Sequence, residues 1–197
     1  MLELIFPRHR KFMISVAALF LCAVLMESTV IAASKELNVT KYSQEKTQWC
    51  WVTAVQSVVH FHTGTKHSQC DLWKMGKNQS TCLNEPGNFS EVERIFSQLS
   101  FSNDGVTSTG SISFSAVKSE IDSSRPFLIR LGWKSTDKKT GHMAVVTGYD
   151  DRSDYDFIKY IYINDAPTES VDRWNTPEYL EDNTNWSWTH THKGIKY

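Results

Sequence analysis

The feature that most constrains this chain is a cysteine that opens an amphipathic helix. After Cys50, the apolar residues Trp51, Ala54, Val55, Val58 and Val59 fall at i, i+3, i+4, i+7 and i+8, and Gly64 follows as a stop. The spacing predicts a helix over residues 48–63 with one face on a core and Cys50 in its first turn. At that position unpaired backbone N–H groups and the positive end of the helix dipole favour a thiolate over a thiol. A buried cysteine usually behaves as a small hydrophobe. Chemistry therefore requires a base and an orienting group elsewhere in the chain.

The beginning of the chain reads as an export signal. Arg8, Arg10 and Lys11 precede an apolar run over residues 12–26, and Val30-Ile31-Ala32-Ala33 supplies a small-residue exit. The run is shorter than the roughly 20 apolar residues a spanning helix needs, so residues 1–33 are expected to be removed, with cleavage after Ala33 or Ala32. The product would be secreted or periplasmic. Cys22 leaves with the signal, and of the three remaining cysteines Cys70 and Cys82 flank a short polar segment that a bridge could close. Cys50 is then the unpaired thiol, which raises the expectation that it reacts.

With 21 basic against 22 acidic residues and a formal net charge of −1, nothing points to nucleic acid. Residues 34–197 suit a single domain, expected to be a monomer free of the membrane once the signal is gone. Residues 34–43 show no pattern, which leaves no room for a folded inhibitory pro-segment before Gln44. Beyond the first helix, Ser68 can cap a short helix through Asp71, Leu72 and Met75, and residues 75–87 read as an irregular loop. Ser90-Glu91-Val92-Glu93 reads as a capping box for a helix over residues 91–99, and a Ser/Thr/Gly-rich link leads to another over 114–122, ended before Pro126.

From residue 127 the pattern changes to strands: residues 127–133, 142–149, 157–163 and 186–192 are rich in β-branched and aromatic side chains. Helices first and strands second define an α+β domain, with an N-terminal helical half against a C-terminal antiparallel sheet half. His142 starts one strand directly after Gly141, outside the apolar run, where its ring can face a cleft. The next strand ends in Asn164 and Asp165, either of which could accept from the ring N–H and fix the tautomer that takes a thiol proton. The alternatives are a strand-edge histidine and an ordinary Asn-Asp turn. For an oxyanion, the backbone N–H of Cys50 is one donor, and the side-chain amide of Gln44 or Gln48 could be the other.

Gln44 six places before Cys50, the Cys50-Trp51 pair, the Gly141-His142 strand running to Gly148-Tyr149-Asp150, and Ile163-Asn164-Asp165 together resemble the papain-like cysteine peptidases. The resemblance is closer to the short bacterial branch of avirulence-type protease effectors and bacteriocin-exporter peptidase domains, and it covers residues 44–167. It implies a papain-like fold and a secreted thiol endopeptidase acting on polypeptides without a cofactor. Cys50 would be the nucleophile, His142 base and later acid, Asp165 the orienting group with Asn164 as fallback, and Gln44 the oxyanion donor. The plant-enzyme signature Cys-Gly-Ser-Cys-Trp is absent, since Gln48-Trp49 precedes Cys50.

Three other readings were open to the sequence. His60, His62, His67 and Cys70 are zinc-type ligands, but residues 60 and 62 do not share a helix face, and no metal is expected. An acyl transferase or amidase would use the same scaffold with an amine in place of water. An exported binding module would keep the scaffold with an inert thiol.

Overall fold

The structure is a computed structural model that describes residues 33–152 and 154–197. The expected export signal falls on residues 1–32, outside the described residues, with only Ala33 of the expected exit inside them. Among the described residues no helix is long and apolar enough to cross a membrane.

The elements run β1 (Ser34–Glu36), α1 (Cys50–Thr63), α2 (Gln69–Lys77), α3 (Phe89–Gln98), β2 (Val106–Thr109), α4 (Phe114–Asp122), β3 (Phe127–Trp133), β4 (Gly141–Asp150), β5 (Phe157–Tyr162), β6 (Val171–Asn175), α5 (Pro177–Glu181) and β7 (Trp186–Lys193). Seven antiparallel strands form one sheet in the order β2-β7-β3-β4-β5-β6, with β1 paired to β4. The α+β class and the helices-then-sheet order expected from the sequence are what the chain adopts. β4 is the centre of this arrangement. Its first half pairs β3 from Gly141 to Val146, its last three residues pair β1, and β5 runs along its other edge.

The helical half is held to the sheet largely by the apolar side chains of α1, beside which Thr53, Gln56 and Ser57 are also buried. Trp51, Val52, Ala54, Val55, Val58 and Val59 are all buried, and Val145 and Val146 of the sheet share that core. At about 1.5–3 kcal/mol for each fully buried aliphatic side chain, this packing fixes where the head of α1 lies. Gly64 then leaves the helix in the left-handed region at φ 68°, its N–H closing on the His60 carbonyl.

A bridged Cys70–Cys82 pair, with Cα atoms 5.5 Å apart, ties α2 to the loop that follows it. That loop folds over the head of α1. The indole N–H of Trp49 donates to the Leu83 carbonyl at 2.8 Å, that of Trp51 to Glu85 at 3.2 Å, and the Gln48 backbone N–H to Asn84 Oδ1 at 3.0 Å. Gly87 lies so close to the Trp51 ring that a Cβ there would fall 2.2 Å from it.

Several local expectations need correction. The box that starts α3 is Asn88 with Glu91, two residues earlier than expected. Asn88 Oδ1 accepts from the Ser90 and Glu91 N–H groups while Glu91 accepts from the Asn88 N–H, so Phe89 joins the buried face. β1, β2, β6 and α5 carried no signal strong enough to be seen; β2, for instance, is the polar Val-Thr-Ser-Thr at a sheet edge. β7 lies between β2 and β3, and its His192 is fully buried against the rings of Phe89 and Phe96.

Candidate active site

Cys50 is the first residue of α1, and the residue before it, Trp49, offers no side-chain cap. The first-turn N–H groups are therefore free to face the sulfur. The backbone N–H groups of Cys50, Trp51 and Met143, together with the Arg130 guanidinium, favour the thiolate. Burial outweighs them and pushes the thiol above its ordinary value. The helix head thus acts in the direction the sequence suggests, while the desolvated niche opposes it. Cys50 is half-buried and free, while Cys70 and Cys82 are bridged to each other.

One cavity of about 410 Å³ brings together Cys50, Gln44, Gln48, His142, Asn164 and Asp165, joined by Trp133 and Tyr162. The placement follows from two features of the fold. β4 begins at Gly141, so His142 stands at the sheet's end beside the head of α1. The stretch before α1 runs alongside the end of β5, with the Gln44 N–H on the Asn164 carbonyl at 2.8 Å and the Ala166 N–H on the Gln44 carbonyl at 3.0 Å.

The His142 ring stacks on Tyr162, centroids 4.5 Å apart, and leans on Trp133 at 6.1 Å. The Arg173 guanidinium lies 3.9 Å from the centre of the Tyr162 ring. Burial pushes the imidazole down to about 4; the Ile163 carbonyl and the Asp165 charge oppose this, and Arg173 adds to it. The ring is neutral near neutral pH, as a base must be, and its Nε2 is buried with no hydrogen-bond partner.

Gln44 is buried, and its amide nitrogen donates to the Asp165 carboxylate and to the Thr47 carbonyl. Both neighbours are acceptors, which fixes the amide's orientation and leaves Oε1 unpartnered. Asn164 turns its amide into its own loop, donating to the Glu169 carbonyl at 2.7 Å. Asp165 therefore meets the ring through its charge, and Asn164 serves the loop. Gln48 lines the cavity with its side chain exposed. The sequence did not single out Tyr162, Trp133, Arg173 or Arg130. Strand alternation carried a signal for Tyr162: it pairs with Ala144, two residues from His142, and so falls on the same face.

A free cysteine at a helix head and a neutral histidine at the start of a facing strand, lining one cavity on an α+β scaffold, define a papain-like cysteine peptidase class of site. The chain belongs to the Peptidase_C39 like family, which it matches over residues 36–195, and this supports cysteine peptidase activity in general. No curated protein matches the chain.

Proposed function

We propose that this protein is an exported cysteine endopeptidase that hydrolyses peptide bonds with Cys50 as nucleophile and His142 as base. The observation that carries the proposal is the shared cavity, in which a free thiol and a neutral, aromatic-stacked imidazole converge. His142 takes the thiol proton as sulfur attacks the scissile carbonyl, and returns it to the leaving amine. Water then attacks the thioester, giving its proton to His142; the C–S bond breaks, the Cys50 sulfur takes that proton back, and the second product leaves with a free carboxylate. The Asp165 charge stabilises the imidazolium that forms in each step. The Cys50 N–H serves the oxyanion. Because the Gln44 amide nitrogen is held by Asp165 and Thr47, Gln44 acts as the support for Asp165, and the exposed Gln48 amide supplies the second oxyanion donor.

The test is incubation of the purified protein with a diverse peptide mixture, read by mass spectrometry. Cleavage into paired fragments whose masses sum to substrate plus water, lost in Cys50→Ala, supports the reading. Ligation to an added amine in place of hydrolysis would make it a transferase, and no turnover with an unlabelled thiol would make it a binding module.

A further inference from the structure

A second cavity, of about 350 Å³, is also lined by Cys50, together with Arg130, Lys139, Gly87, Gly141 and Met143 among others. Arg130, on β3, is half-buried there, and among the described residues no carboxylate pairs with it. Its guanidinium is held from behind. Nη1 donates to Thr189 Oγ1 at 2.8 Å, and Nη2 donates to the carbonyls of Lys138 and Lys139 at 2.9 and 3.1 Å. Of its five N–H donors, Nε–H and one on Nη1 remain.

The seat is built from two glycines facing each other across β3 and β4. A Cβ on Gly141 would lie 3.1 Å from the guanidinium carbon, and one on Gly132 would lie 3.2 Å from Nη1. His190, opposite Arg130 on β7, repels it when protonated, and the Cys50 sulfur, which would attract it when ionised, is held toward the neutral thiol by burial. A desolvated guanidinium left unpaired is unfavourable unless something else supplies the counter-charge. A strap between β3 and β7 would need only a neutral amide.

We propose that this second cavity is a subsite for a carboxylate of the substrate, received by Arg130 next to the bond that Cys50 attacks. The proposal rests on the peptidase reading and names its substrate class: a peptide with an acidic side chain flanking the scissile bond, or one whose free C-terminal carboxylate lies there.

Iodoacetate and iodoacetamide test it directly. Both alkylate a thiolate by the same displacement: sulfur attacks the methylene carbon, the S–C bond forms as the C–I bond breaks, and iodide leaves. They differ only in the carboxylate. At mildly alkaline pH and low salt, iodoacetate is expected to alkylate Cys50 about tenfold faster than iodoacetamide. High salt should erase that advantage in the native protein, so the outcome does not depend on a variant folding. Arg130→Gln should abolish it and Arg130→Lys should retain part of it. A general effect on thiol acidity would change both rates together and leave their ratio fixed.

Iodoacetate no faster than iodoacetamide in the native protein, or a preference indifferent to salt and to Arg130, overturns the subsite. Failure of both reagents to label Cys50 overturns the peptidase reading and the subsite with it. Peptide pairs then separate the sources. A kcat/KM advantage of Asp over Asn or Glu over Gln beside the scissile bond assigns a side-chain carboxylate, and an advantage of free acid over C-terminal amide assigns the terminus. No advantage in either pair overturns the proposal.

Discussion

The side-chain amide of Gln44 donates to the carboxylate of Asp165 across a parallel bridge between their two segments. This contact joins the chain before α1 to the end of the strand beside His142. In the proposed mechanism it takes the Gln44 amide nitrogen away from the oxyanion. Gln48→Ala is therefore expected to lower kcat by about 10²-fold with little change in KM, as loss of an oxyanion donor does. Gln44→Ala should lose less than tenfold. Steady-state kinetics of both variants checks this, and the larger loss in Gln44→Ala would return the oxyanion to Gln44.

Burial holds Cys50 as a thiol and His142 as a neutral ring, so the resting pair carries no ion pair. The rate of iodoacetamide labelling should keep rising beyond the pH at which an ordinary thiol has ionised, without a thiolate plateau at mildly acidic pH. A plateau reaching down toward pH 4 would show a thiolate–imidazolium pair at rest.

The same desolvation governs acid stability. In the folded chain His142 is depressed to about 4 from an ordinary value of 6.5, and His62, His190 and His192 are shifted in the same direction by burial. The unfolded chain therefore binds more protons over that window. The stability is fully present above about pH 6.5 and is lost as pH falls toward about 4. For His142 alone the loss is about 1–3 kcal/mol, after allowing for its contact with an open cavity. Urea midpoints for native protein and His142→Asn should diverge at near-neutral pH and converge toward pH 4. Parallel curves would contradict the assignment.

The α3 cap gives a local check. Asn88 accepts two first-turn N–H groups, and Asn88→Ala is expected to lower stability by about 1 kcal/mol. The same change at Ser90, the cap suggested by the sequence, should have a smaller effect.

The proposed export makes a further prediction. The Ala33 N–H donates to the Asp151 carboxylate, which also binds Lys118. Cleavage after Ala32 would place a new ammonium on that carboxylate, so mass spectrometry of exported protein should find Ala33 first. Ser34 as first residue would contradict this.

How much of this was readable in advance depended on whether the signal was local. The apolar period behind Cys50 and the runs of β3, β4, β5 and β7 were strong enough to place those elements within about two residues. β2 and β6 were not legible, because short polar edge strands are defined by the neighbour they pair with. The cap of α3 was misplaced because Ser90 and Asn88 are equally good cap residues, and only the burial of Phe89 chooses between them. At the site, Cys50 and His142 stood out by position. Arg130 did not, since an arginine inside an apolar strand acquires meaning only from the two glycines and the cavity that surround it.

The most direct test of the central claim is the rate at which a neutral peptidyl chloromethyl ketone inactivates Cys50 at near-neutral pH, in native protein and in His142→Ala. If the two residues work as nucleophile and base, the variant should react about 10²-fold more slowly. Equal rates would mean that the imidazole plays no part in activating the sulfur.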